Sequence, residues 1–351
     1  MSITRRNHYD ITGTVCVADP RDVGAACISL LRKLYPDADY APVQHAFETF
    51  AELYTGTLPG FFGCETWYHD AQHSLDCALV MARLLDGYER SVADDAKLGE
   101  RRLRLGVIAA LFHDAGYIRR QRDAEQHGAE FTLYHVKRSG DFMATYLPNI
   151  GFAAEVPVVE QIVHYTGYEV ALDKVVVADD RDRKLGFLLG SADVLAQMSD
   201  RCYLEKCRDF LYAEFEICGL AGLPRSSGPK PIYASPEDLL NKTAAFKDKI
   251  WEERMDGYFG SIYRYLEAHF GGKNPYIAAI DRHLARLYQV SRDGMMLEGL
   301  RRRAEAVNAV PLRHIMGLPP SSELVFGNWQ PPPRNRKPAL GVPETQRFMP
   351  T

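Results

Sequence analysis

Apolar positions recur at three- and four-residue spacing along most of the chain, the period of an α-helix with one buried face. The spacing predicts helices over about 20–33, 41–55, 69–90, 97–113, 129–147, 155–166, 181–199 and 203–218, and a long one from Pro236 towards His269. Start signals support two of them. Asp19-Pro20 offers a capping carboxylate and a proline at the first helical position, and Ser235-Pro236-Glu237-Asp238 repeats the arrangement. Only Val175-Val176-Val177 has the β-branched character of a strand, and three residues are too few to seed a sheet. An all-α architecture follows.

Proline and glycine punctuate this pattern. Residues 221–236 hold four prolines and read as a loop, and residues 318–351 hold eight of the chain's 20 prolines with little apolar periodicity. The expected organisation is therefore a helical lead-in over 1–63, a core over 64–220, a C-terminal helical block over 236–317 packed on that core, and a Pro-rich tail over 318–351.

Composition changes the picture in three ways. At 351 residues the chain can bury a large core without staples, so its seven scattered cysteines are expected to be reduced thiols. A net charge of −4 gives no broad basic field, so no nucleic-acid polymer is expected as a partner. The longest apolar run near the middle, Leu105 to Phe112, is far short of a bilayer span, and no apolar stretch follows Arg5 and Arg6. A cytoplasmic protein without a membrane partner is expected.

The chemistry lies in histidines and aspartates set among apolar residues. His69 and His73 are four apart in Tyr68-His69-Asp70-Ala71-Gln72-His73, which on a helix puts both imidazoles on one face. Ala109-Ala110-Leu111-Phe112-His113-Asp114-Ala115-Gly116 is an apolar run ending in adjacent His and Asp, with Gly116 as the expected helix cap. An aspartate there is costly to bury unless a cation meets it. His135, His164 and Asp193 each stand in a further apolar helical stretch. His73, His113, Asp114, His135, His164 and Asp193 form a nitrogen and oxygen ligand set without thiolate, suited to Mn, Fe, Mg or Zn. Six ligands exceed what one open metal site takes from protein, so two divalent metal ions bridged by Asp114 are expected. Lys137, Arg138 and Arg201 are the candidate cationic partners for a substrate phosphate. Phe61, Phe62, Trp67 and Tyr68 stand just before the site; core packing is the expected role, and a stacked base is the alternative.

The ordered set resembles the HD-domain superfamily of metal-dependent phosphohydrolases over roughly Cys64 to Phe210. Ala192-Asp193-Val194-Leu195-Ala196-Gln197 looks like the last-ligand helix of its HD-GYP branch, and Tyr68-His69-Asp70-Ala71-Gln72-His73 resembles the Tyr-His-Asn-x-x-His signature of class I cyclic-nucleotide phosphodiesterases. The resemblance implies an HD-domain helical bundle and a metal-dependent phosphohydrolase. A phosphodiesterase acting on a cyclic nucleotide is favoured, with His69 as general acid and Asp114 at the centre of catalysis. Asp70 stands where that signature has Asn, Tyr117 where the family has His, and Gly116 where HD-GYP enzymes have Lys. An HD-fold di-iron oxygenase, a nucleotide-binding regulator and a phosphomonoester hydrolase are the rival readings.

Overall fold

The computed structural model describes residues 6–224 and 229–319; the Pro-rich tail expected from 318 on lies, past Pro319, outside the described residues. The described chain is helical and contains no strand; Val175–Val177 joins no strand pairing, and the β-type pairs are the isolated bridges Tyr9 to Cys16, Phe61 to Arg120 and Ala221 to Tyr233.

Helices α1 (Pro20–Leu34) and α2 (Ala41–Thr55) begin at the expected residues, α1 under the Asp19 side chain. At the centre runs α3 (Ala71–Ser91), buried on all sides from Ala71 to Glu89. A helix buried all round must find partners for its polar side chains. Arg83 donates to Asp10 at 2.6 Å and to the Tyr276 hydroxyl at 2.5 Å. Asp86 meets His269 Nδ1 at 2.6 Å, and Glu89 accepts from the Leu98 amide and the Tyr35 hydroxyl. Arg83, Asp86 and Glu89 thus each fix a different segment against α3. Gly87 permits the closest approach, since a Cβ there would overlap the Tyr265 carbonyl.

Helices α4 (Glu100–Phe112), α5 (His135–Tyr146), α6 (Val156–Ile162) and α7 (Asp180–Ser199) complete the inner bundle, with α4 and α7 lying against α3. The next helical run is α8 (Tyr203–Lys206), a wider π-helical turn over Cys207–Leu211, and α9 (Tyr212–Cys218). The helix expected from Pro236 to His269 is interrupted. It runs as α10 (Pro236–Ile250), widens into a π-helical stretch over Trp251–Tyr258, reverses at Gly260 and Ser261, both at positive φ, and resumes as α11 (Tyr265–Phe270). Helices α12 (Pro275–Arg292) and α13 (Ala309–Ile315) follow.

One hydrophobic core runs through lead-in, centre and C-terminal block: α1 packs on α3, α2 on α4, α11 on α3 and α12 on α7. The helix that carries His73 is therefore clamped by both the lead-in and the C-terminal block, and the one that carries Asp193 by the C-terminal block.

Candidate metal centre

The centre is built where three helices meet. His73 lies in the first turn of α3, which starts at Ala71 rather than 69 because the Asp70 side chain caps it, Oδ1 accepting from the His73 amide at 2.9 Å. The other Asp70 oxygen accepts from the Val307 amide at 2.7 Å, and the Ala71 amide returns a bond to the Val307 carbonyl. Helix α4 delivers His113 at its C-terminal end, and the turn that follows presents Asp114. Asp193 comes from the middle of α7.

Their ligand atoms converge. His73 Nε2 lies 3.3 Å from His113 Nε2, 3.4 Å from Asp114 Oδ2 and 3.2 Å from Asp193 Oδ1; His113 Nε2 lies 3.3 Å from Asp114 Oδ2 and 3.6 Å from Asp193 Oδ1. Ligands about 2.1 Å from one ion stand roughly 3.0–3.4 Å from their neighbours, so these separations suit a shared divalent cation. The donor set suits one too. His113 Nδ1 is 2.8 Å from the Ala110 carbonyl, a bond that places the ring proton there and leaves Nε2 as a bare lone pair. Asp114 Oδ2 is buried with no hydrogen-bond donor. Burial opposes a proton on His113, but Asp114 and Asp193 outweigh it and raise its pKa; against the cost of burial, both carboxyls are held far below their usual range, Asp114 by His113, His69 and His73, and Asp193 by His113 and His73. The cluster draws positive charge to itself.

The second oxygen of Asp114 faces the next histidine. His135 Nε2 is 3.5 Å from Asp114 Oδ1, while His135 Nδ1 is 2.8 Å from the Thr132 carbonyl, so again Nε2 is free. Burial, with His69 and His113 nearby, depresses the His135 pKa to about 4, which keeps the ring neutral and available as a ligand. Gly116 makes this approach possible. It is not the positive-φ cap expected; a Cβ there would overlap the His135 carbonyl, and its amide donates to Ser139 Oγ at 2.8 Å. The HD-GYP lysine has no room at this position.

His164 is not drawn into the cluster. Helix α6 ends at Ile162 and His164 falls on the tight turn after it, half-buried, with Nδ1 lacking a partner and no ion pair to either aspartate among the described residues. Burial, helped by Lys137, lowers its pKa.

His69 precedes the helix cap, so the expected shared face with His73 does not exist, yet the two rings lie 6.3 Å apart. His69 Nδ1 bonds the buried Glu214 carboxylate on α9 at 2.6 Å, and the other Glu214 oxygen accepts from the Trp67 and Tyr68 amides, each at 2.7 Å. Burial disfavours the imidazolium, but Glu214 overrides it and raises the His69 pKa. Tyr117 stacks between His69 and His135, centroids 4.3 and 4.4 Å away, with its hydroxyl 3.4 Å from His69 Nε2. Glu214 is the residue that sequence reasoning missed; its one signal is a carboxylate set among aromatic residues in Tyr212-Ala213-Glu214-Phe215.

The three expected phosphate clamps are committed elsewhere. Arg138 donates to the Gly116 and Ile118 carbonyls and to Asp123, with its guanidinium 3.7 Å over Phe131. Lys137 is exposed and paired with Asp141 one turn along. Arg201 bonds Asn7, and its carbonyl accepts from Arg302. Arg138 in particular is a structural tie, because bare carbonyls at the turn after Asp114 need its donors.

All seven cysteines are free thiols. No helix among the described residues is long and apolar enough to cross a membrane. Comparisons with protein-family models, with curated proteins and with solved structures find no match to this chain.

Proposed function

We propose that the protein is a metal-dependent phosphohydrolase of the HD type, a phosphodiesterase whose favoured substrate is a cyclic nucleotide. The observation that carries this reading is the convergence of His73, His113, Asp114 and Asp193 on one point, next to a histidine held by a buried carboxylate. Divalent cations bound there supply Lewis-acid polarisation of a phosphoryl oxygen and an activated water. His73, His113, Asp114 and Asp193 would hold one such ion, and Asp114 and His135 would offer ligand atoms for a second. His69 keeps its Nδ1 proton on Glu214, which leaves the Nε2 proton for the leaving ester oxygen; the Glu214 charge holds the ring protonated until that transfer.

The test is metal analysis of the purified protein, coupled to an anaerobic screen of cyclic nucleotides, phosphomonoesters and nucleoside triphosphates with manganese. Hydrolysis that requires metal and disappears in His113→Ala is expected. Metal-loaded protein that hydrolyses none of these, or turns over only with dioxygen, overturns the reading. Full activity in His69→Ala removes the acid role.

A further inference from the structure

Large apolar side chains exposed on this surface are few, and one of them stands two residues before His69. Of the four aromatics that precede the site, Tyr68 is buried, Phe61 packs edge-on against Phe142, and Phe62 lies under the Arg119 guanidinium. Trp67 differs from them, with 41% of its surface exposed. The covered part of the indole packs with Phe210, and the open part leaves an aromatic face for a ligand.

Its setting is also rigid. The Trp67 amide donates to the same buried carboxylate, Glu214, that holds His69 Nδ1, so indole backbone and acid ring share one anchor. The π-helical turn over Cys207–Leu211 brings Phe210, itself partly exposed, to a centroid distance of 6.4 Å from the indole at 54°. The two rings make an aromatic corner whose Trp67 backbone is tied, through Glu214, to His69. Arg138 and Arg201, two of the cations expected to meet a substrate phosphate, are spent on structural bonds.

We infer that Trp67, with Phe210 beside it, is the platform on which a planar nucleobase of the substrate stacks while its phosphoester reaches the His73, His113, Asp114 and Asp193 cluster. The inference rests on the phosphoester reading for the second half of that statement and on the aromatic corner alone for the first. Stacking of a base on an aromatic side chain tolerates any base, so the platform sets substrate class rather than base identity.

Two measurements test it on the full-length protein. In the first, adenosine, guanosine, cytidine and uridine are titrated while tryptophan emission is followed, which needs no turnover. Quenching that is present in the wild type and lost in Trp67→Leu supports the platform. No quenching by any nucleoside, or equal quenching in the variant, overturns it even if the protein is a phosphohydrolase. In the second, kcat/KM is compared for nucleotide, 4-nitrophenyl and methyl phosphoesters. Trp67→Leu should cut the preference for nucleotide over methyl ester by about ten- to a hundredfold, through KM, with Trp67→Phe restoring most of it. Loss of preference for the 4-nitrophenyl ester alone overturns the nucleobase assignment, as does an unchanged preference.

Discussion

Helix α3 carries two buried groups of charge nearly three turns apart, at His73 and Arg83, and they are opposites in construction. Around Arg83, a cation meets Asp10 and the Tyr276 hydroxyl, and Asp10 accepts in addition from Thr12, Thr14 and Val15; the charges cancel within the chain. Around His73, two imidazoles face two carboxylates, and Asp114 Oδ2 has no hydrogen-bond donor. A group whose charges are balanced internally is a fixture of the fold. One built only from acceptors is unfinished until a cation joins it.

Four substitutions or conditions would break or sharpen this contrast. The largest effect is expected at the unbalanced cluster: Asp114→Asn should lower turnover on the order of 10³-fold or more and reduce bound metal, while the melting temperature of the chelated protein stays the same or rises. Arg83→Met should do the reverse, since it strands the buried Asp10 carboxylate; about 3–5 kcal/mol of stability is expected to disappear in denaturant melts, with metal content per folded molecule unchanged. Between these, Glu214→Gln keeps a hydrogen-bonding side chain but removes the charge that raises the His69 pKa. A rate that needs protonated His69 is present below its pKa and lost above it, so the alkaline limb of the pH profile should move to lower pH, with turnover down roughly 10–100-fold. The smallest effect is acid lability at the balanced group. Burial pushes the Asp10 carboxyl up, but Arg83 and the bonds from Thr12 and Val15 bring it down from 3.8 to about 2. The stability it contributes is complete above about pH 4 and is lost as pH falls through 2, about 2 kcal/mol in all, which melts in the wild type and Asp10→Asn should reveal.

The same contrast explains what could be read in the chain before folding. Caps such as Asp19 and Ser235 act over three or four residues, so α1 and α10 start where their local sequence says. His113, Asp114 and Asp193 were legible because each interrupts an apolar stretch that has no local use for it, and His73 through its four-residue spacing from His69. What the sequence hid is which charges are already satisfied. Arg138 looks like a free cation until the Gly116 and Ile118 carbonyls and Asp123 are folded around it, and Glu214 looks like surface until His69 arrives from 145 positions away. His164 misled for the opposite reason, because its apolar neighbours serve the core rather than the cluster.

The bond from the Val307 amide to Asp70, across 237 residues, has a consequence for the order of assembly. Translation at roughly 5–20 residues per second separates the two partners by about 10–50 s, during which the ligands His73, His113, Asp114 and Asp193 have all emerged but the cap of their central helix lacks its second bond. A nascent chain therefore carries every ligand before it has the finished scaffold. A late stretch of the chain thus closes the first turn of the helix that carries His73, so the scaffold of the cluster is completed only late in synthesis.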